Sequence, residues 1–226
     1  MAIGCVIRKN FERPSAELVE TFKDLPVANI DDCMGRMAAI DSAIRPINGT
    51  PILGTAFTVR CPAGDNLMFH KAMDLAQPGD IIMIDAGGYT NRAIFGEIMV
   101  SYCKTKGVKG IVIDGAIRDY DALSKMDDFA VYAKGVTPNG PYKGGPGEIG
   151  TTITVGGITV NPGDIVVGDA DGVIVISPAV AAELAEKARA VSKKEQEIFE
   201  TMRRDGSYDR PWVDEKLEEL GCTYLD

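Results

Sequence analysis

The middle of the chain alternates, and that alternation limits the fold more than any other feature. IIMID (81–85), GEIMVSYCKTKG (96–107), GIVIDG (110–115), RDYDALSKM (118–126) and AVYAKG (130–135) read in turn as strand, helix, strand, short helix and strand. The strand segments are short apolar runs, the pattern of strands covered on both faces. Strands separated by helices in this way run parallel and are joined by right-handed crossovers. Between the first strand and its helix, AGGYTNRAIF (86–95) reads as a glycine-bearing loop.

The flanks are of two kinds. On the N-terminal side, PSAELVETFKDL (14–25) puts Leu18, Val19, Phe22 and Leu25 on one helical face behind a Ser15 cap, and VANIDDCMGR is a second short helix. GTAFTVRC (54–61) reads as a strand, and DNLMFHKAMDLAQ as a helix opened by Asp65 and closed by the Pro78-Gly79-Asp80 turn. From residue 151, TTITVGGITVNPGDIVVGDADGVIVIS gives short strands joined by Gly-Gly, Pro-Gly-Asp and Asp-Gly turns, an antiparallel block. Ser177-Pro178 then opens a long helix to about Arg204 with an apolar stripe of Val180, Leu184, Ala188, Val191, Ile198 and Met202. Glu195 falls on that stripe, so it is either solvated on a projecting helix or placed in an interface. WVDEKLEELGCTYLD adds another helix and a terminal extension. With no convincing boundary, the expectation is one α+β domain over 1–226, in which 178–226 is a helical extension seated in a subunit interface.

Composition removes several function classes. At 226 residues and 45% hydrophobic the chain can bury a large core, and a net charge of −9 argues against a nucleic-acid partner. Five scattered cysteines without a C-x-x-C pair read as reduced thiols, and no segment has the length of a secretory signal or a membrane span. A cytoplasmic protein with no membrane partner is expected. The single histidine, His70, excludes multi-histidine zinc sites, and its neighbours Leu67, Met68, Phe69 and Met73 favour a packing or hydrogen-bonding role over that of a base.

Two glycine motifs read blandly. Gly145-Pro146-Gly147-Glu148-Ile149-Gly150 is formally G-x-G-x-x-G, but a strand follows and a proline interrupts, so KGGPGEIGT reads as a mobile or substrate-covering loop and not a dinucleotide fingerprint. Asp169-Ala170-Asp171-Gly172 lacks the remaining spacing of a calcium loop and reads as a hairpin turn with Gly172 at positive φ.

The chemistry concentrates in IVIDGAIRDYDAL. A helix over 97–106 covers about 15 Å and the strand 110–115 returns about 20 Å in the opposite sense. Glu97 and the amides of Ile98 and Met99 therefore meet Arg118 and Asp119 at the carboxyl edge of the sheet, where ligands of open α/β folds collect. Free N–H groups at a helix start attract an anion, and Arg118 offers a planar fork to a carboxylate or keto oxygen. Asp119 and Glu97 supply hard oxygens suited to Mg²⁺ or Mn²⁺. Such a corner can hold a small 2-oxo acid and stabilise an enolate. Equally, Arg118 and Asp119 can cap the following helix and pair with surface charges.

Gly96-Glu97, twenty residues, then Arg118-Asp119 resembles the G-[DE]-x20-R-D pattern of the class II 4-hydroxy-4-methyl-2-oxoglutarate / 4-carboxy-4-hydroxy-2-oxoadipate aldolases. These belong to the superfamily of RraA, the regulator of ribonuclease E activity. GTAFTV, GDN (64–66), QPGDI, IDGAIRD, PGDIVVGDADGV and LEELGCTYLD are similar to family segments in the same order. The resemblance implies an RraA-like α-β-β sandwich like the phosphohistidine swivelling domain, assembled as a homotrimer or homohexamer. It implies that the amides across Gly96, Glu97, Ile98 and Met99, with Arg118, bind the pyruvoyl group, although leucines often stand where this chain has Ile98-Met99. Asp119 would be the direct ligand of Mg²⁺ (or Mn²⁺), with Glu97 holding metal-bound waters. Glu195, or Glu197 beside it, would approach from a neighbouring subunit. The implied activity is a metal-dependent lyase that releases pyruvate by retro-aldol cleavage and decarboxylates oxaloacetate as a side reaction. The alternative is a non-catalytic, RraA-type protein–protein regulator of an RNA-degradation enzyme; presence of Glu97 together with Arg118 and Asp119 favours the enzyme. No lysine in the motif supports a Schiff base, and no cofactor loop supports a methyltransferase.

Overall fold

A computed structural model describes residues 4–225. Residues 1–3 and 226, part of the N-terminal stretch and of the closing segment read above, lie outside the described residues. The chain divides into two compact units, residues 1–188 and 189–226. In order, the first carries β1 (Cys5–Ile7), α1 (Ala16–Glu20), α2 (Val27–Cys33), β2 (Arg45–Pro46), β3 (Ile52–Arg60), α3 (Leu67–Leu75), β4 (Asp80–Phe95), α4 (Glu97–Thr105) and β5 (Gly110–Ile117). It continues with α5 (Tyr120–Leu123), β6 (Ala130–Val136), β7 (Gly147–Ile149), β8 (Ile153–Val155), β9 (Ile158–Val160), β10 (Ile165–Gly168) and β11 (Val173–Ile176). Helix α6 (Pro178–Asp205) begins in the first unit, and α7 (Pro211–Glu219) lies in the second.

The expected parallel core is present. β3, β4, β5 and β6 pair side by side in parallel, with α3, α4 and α5 as the crossovers. The outer edge of β3 is shared: Ile52–Thr55 pair antiparallel with β10, and Val59–Arg60 pair antiparallel with β7, which in turn carries β1. Period-two alternation sends neighbouring residues of each strand to opposite layers. Ile82, Ile84, Ile111, Ile113 and Val131 pack with Met68, Phe69 and Ala72 of α3 and Val100 and Cys103 of α4. Ile81, Met83, Val112 and Tyr132 face Ile153, Val155 and Val160 of the β8–β9 hairpin. Helices, sheet and hairpin thus form three layers, the α-β-β arrangement the resemblance implies. The hairpin turns at Gly156-Gly157, both at positive φ, as a two-residue turn requires.

A third cluster joins Val19 and Phe22 beside α1 to Ile30 of α2, to β10 and β11, and to Ala181, Leu184, Ala185 and Ala188 of α6. Ser15 accepts a hydrogen bond from Leu18 N as an N-cap, and the Asp169–Gly172 turn closes the β10–β11 hairpin with Gly172 at positive φ. Among the described residues no helix is long and apolar enough to cross a membrane.

Two readings need correction. AGGYTNRAIF is not a free loop but the second half of β4: relative to β5 its register shifts between Asp85 and Tyr89, between Tyr89 and Ala93 and between Ala93 and Phe95, and it stays in the sheet so that Phe95 pairs with Ile117. Gly87, Gly88 and Asn91 carry a turn signal, whereas Ala93, Ile94 and Phe95 are buried and hold the register. For KGGPGEIGT it is the mobile alternative that is corrected, not the substrate-covering one: the Gly144 and Gly145 amides both donate to Asp65 Oδ2, and Gly147–Ile149 is β7.

The start of β4 rests on a buried ion pair. Arg13 grips the fully buried Asp80 carboxylate with Nε at 2.8 Å and Nη2 at 2.9 Å, and Gln77 N donates at 2.8 Å. Removing one partner strands a buried charge. Arg13→Ala is expected to cost about 3–5 kcal/mol, read as a fall in the urea midpoint at neutral pH; an unchanged midpoint would show that solvent reaches Asp80 without cost.

Candidate active site

Gly96 ends the bulged β4 and caps α4 while Arg118 and Asp119 leave β5 next to it; Arg118 N donates to Phe95 O at 3.0 Å. A Cβ on Gly96 would collide with the Asp119 carboxylate and lie 2.9 Å from Arg118 Cγ, so only glycine allows this approach. Asp119 has left-handed backbone angles (φ 59, ψ 40), a conformation costing an L-residue about 1–2 kcal/mol. Its side chain does not cap its own helix α5; Oδ2 instead accepts Glu97 N at 3.0 Å, capping α4. Arg118 Nε stands 3.9 Å from the same oxygen, a loose pair that leaves both groups able to serve a ligand. Oδ1 of Asp119 has no protein partner among the described residues.

These residues line one side of a cleft of about 300 Å³ at the carboxyl ends of β4, β5 and β6. Gly96, Ile98, Met99, Arg118 and Asp119 border it, as expected from the sequence. Met99 N and Val100 N both close on Gly96 O, so Ile98 N–H is the first-turn amide of α4 left without a protein acceptor among the described residues. Ile98 itself is 83% exposed at the mouth. The Glu97 side chain points to solvent and is not part of the lining. Glu195 lies in the second unit, half-buried on α6 in line with Val191 and Ile198.

The remaining wall comes from residues the sequence reading did not name for the site, apart from Lys143 at the start of the segment it read as mobile or substrate-covering. Asn66, 2% exposed at the start of α3, donates from Nδ2 to Ile94 O at 2.8 Å, and its buried Oδ1 has no partner among the described residues. An orphaned acceptor at a cleft wall is a place for a donor from water or ligand. His70 follows one turn later, and Gly140, Pro141 and Lys143 close the far side. Asn66 lies in the GDN segment, which gave a hint, and Lys143 opens KGGPGEIGT, whose substrate-covering reading gave another; Pro141 arrives by a contact distant in sequence and left no local signal.

Burial first, and the Lys143 charge second, hold the His70 pKa below its ordinary value, against an opposing pull from Asp74. Neutral imidazole is thereby favoured at pH 7. Lys143→Ala is expected to return the His70 pKa part of the way upward. With one histidine in the chain, a proton NMR titration reads this without assignment, and an unmoved midpoint would place Lys143 out of electrostatic reach.

Among the described residues no three His, Cys, Asp or Glu groups converge. The Asp119 carboxylate in the lining is a hard oxygen donor, of the type that goes with Mg²⁺ or Mn²⁺ and their retained waters and not with a closed zinc cage.

The RraA-like family model, described as Aldolase/RraA, matches residues 27–175. A Halalkalibacterium halodurans protein provisionally named 4-hydroxy-4-methyl-2-oxoglutarate aldolase is 40% identical over 174 residues, 76% of this chain and 82% of that protein. Among solved structures, Streptomyces coelicolor RraAS2, titled an unusual member of the RNase ES inhibitor RraA family, superposes with a TM-score of 0.72 at 26% identity, covering 84% of this chain and all of the other. The RNA-processing inhibitor RraA of Thermus thermophilus gives 0.63 at 25% identity, covering 68% of this chain and 93% of that one.

Proposed function

Because the chain belongs to the RraA-like Aldolase/RraA family, we propose that its cleft is the active site of a divalent-metal-dependent lyase. It cleaves 4-hydroxy-4-methyl-2-oxoglutarate or 4-carboxy-4-hydroxy-2-oxoadipate to pyruvate and a second oxo acid. The observation that carries this reading is the Gly96–Asp119 contact, where a glycine and a left-handed aspartate bring a guanidinium, a carboxylate and a helix start together. The name of the H. halodurans relative supports an aldolase-type reaction.

In this scheme Arg118 and the Ile98 N–H take the carboxylate and keto oxygens of the pyruvoyl end. Asp119 Oδ1 would hold Mg²⁺ or Mn²⁺, whose Lewis acidity polarises the keto group. Lys143 and neutral His70, at the far wall, receive the second carboxylate. The 4-hydroxyl proton passes through water to a carboxylate, Glu97 or Glu195 of a neighbouring copy. The C3–C4 pair becomes the C2–C3 double bond of an enolate, with its charge on the oxygen beside Arg118, and protonation at C3 yields pyruvate. Oxaloacetate loses carbon dioxide to the same enolate.

A homotrimer or homohexamer completes the proposal. α7 buries no residue, and Trp212 (63%) and Leu220 (70%) are exposed. A 38-residue unit of this kind is below the size that usually holds itself together, which favours burial against another copy.

The test is pyruvate release from each substrate with Mg²⁺ and with EDTA, after subtracting the metal-only background. Turnover lost in EDTA and restored by Mg²⁺ or Mn²⁺ is the expected result. Well-folded, Mg²⁺-loaded protein that turns over neither substrate sinks the lyase and leaves the second reading, a non-catalytic regulator. The likeness to the RNA-processing inhibitor RraA of T. thermophilus and to RraAS2 of the RNase ES inhibitor family favours that reading.

A further inference from the structure

The far wall of the cleft is an irregular segment, residues 137–146, between β6 and β7. Its one regular pairing is a single parallel bridge between Tyr142 and Asp65, yet it is held at many points. Arg92, on the bulged half of β4, donates from Nη1 to Gly140 O at 2.7 Å and Asn139 Oδ1 at 3.2 Å, and from Nη2 to Tyr142 Oη at 2.7 Å. Its guanidinium also lies 3.9 Å from the centre of the Tyr142 ring. The backbone adds Tyr142 N to Gly64 O at 2.8 Å, Asn66 N to Tyr142 O at 3.0 Å and Ala93 N to Asn139 O at 2.8 Å. Asp65, buried at 5% exposure, receives Gly144 N and Gly145 N on one oxygen and Leu67 N on the other.

Arg92 lines no part of the cleft, and the chain makes room for it. Gly64, at φ +73, would place a Cβ 2.8 Å from Arg92 Cδ. A planar fork using three hydrogen bonds and a ring face fixes orientation as well as distance, which a flexible ammonium cannot do. Between the residues so fixed stand Gly140, Pro141 and Lys143.

We propose that Arg92 is a positioning residue that sets the separation of Lys143 from Arg118, and thereby the length of acid the cleft accepts. This rests on the cleft being a 2-oxo acid site. Arg118 and Asp119 follow β5 and Ile98 stands on α4. The Arg118 guanidinium abuts the strap, since a Cβ on Gly140 would lie 3.3 Å from its Nη1. Its backbone is tied to Phe95 O, so freeing the strap releases Lys143 first and leaves the start of α4 and Asp119 in place. A freed wall must be ordered by each long substrate that binds, which raises KM without lowering kcat.

The experiment compares Arg92→Ala, Arg92→Lys and Tyr142→Phe with wild type on 4-hydroxy-4-methyl-2-oxoglutarate and on oxaloacetate, whose second carboxylate stands one carbon nearer the keto group. Amide hydrogen exchange over 137–146 is measured on the same Mg²⁺-loaded proteins. Arg92→Ala is expected to raise KM for the longer acid by about 10-fold, leave kcat within about 3-fold, spare oxaloacetate and speed exchange in the strap. Arg92→Lys should restore little, and Tyr142→Phe, which removes one bond and keeps the ring, should shift the same ratio by less. In a wild type that turns over, unchanged KM and exchange in Arg92→Ala and Tyr142→Phe, or an equal fall in kcat for both acids, overturns the role of Arg92 alone. A wild type that turns over neither acid overturns the reading of the cleft, and the length assignment with it.

Discussion

Replacing Arg118 with alanine is expected to lower kcat/KM for pyruvate release by about 10²–10³-fold, the loss that follows removal of one preorganised donor from a developing oxyanion. Arg118→Lys keeps the charge but not the fork, and recovers only part of it. The companion change is Asp119→Asn. Asparagine still presents an oxygen to Glu97 N–H, which Asp119 Oδ2 now accepts at 3.0 Å, so the cap on α4 survives and stability changes little. What disappears is the negative charge on the side facing the cleft. Stimulation by Mg²⁺ should be lost together with turnover. Retention of full metal stimulation by Asp119→Asn would remove Asp119 as the ligand, whatever became of the rate.

The second large effect is expected from a single methyl group. Gly96 has extended backbone angles (φ −150, ψ −161) open to any residue, so Gly96→Ala carries no conformational strain of its own. Its Cβ would meet the Asp119 carboxylate and the Arg118 side chain, and one of the two must move. A displacement of about 1 Å between reacting groups costs about 10²-fold in rate, whereas overpacking of this kind costs about 1–3 kcal/mol in stability. Gly49→Ala is the control: nothing lies within 4 Å of its Cβ and its φ is ordinary. Equal kinetics for Gly96→Ala and Gly49→Ala would mean that the Gly96 contact has no bearing on the chemistry.

The parallel core was legible because apolar strand runs and helical spacing alternate without interruption, and either signal alone locates the other. The Arg118–Asp119 corner was legible for a related reason: a helix and the next parallel strand run in opposite senses, so a helix start and a strand end must meet. The second half of β4 was hidden by Gly87, Gly88 and Asn91, whose turn signal is real; they bulge the strand without ending it. The substrate-covering reading of KGGPGEIGT reached Lys143, but that it shares a cleft with Asn66 was not legible, because the sheet and the Arg92 strap bring the two together across a long stretch of chain. The left-handed Asp119 was hidden as well, since the bond it makes is to a neighbouring helix and leaves no spacing rule in its own.

The divided outer edge of β3 has a consequence for synthesis. Ile52 pairs with Gly168, and Arg60 with Glu148, so neither half of that edge gains its partner until the chain has grown past all four parallel strands. A polypeptide still emerging from the ribosome at Val136 would carry a nearly complete hydrophobic sheet with one side open to any other strand in reach. Order of translation thus sets a window of vulnerability that ends when β10 appears. A chain halted in that window, by a stall or a premature stop, should be an aggregation seed and not a smaller folded protein.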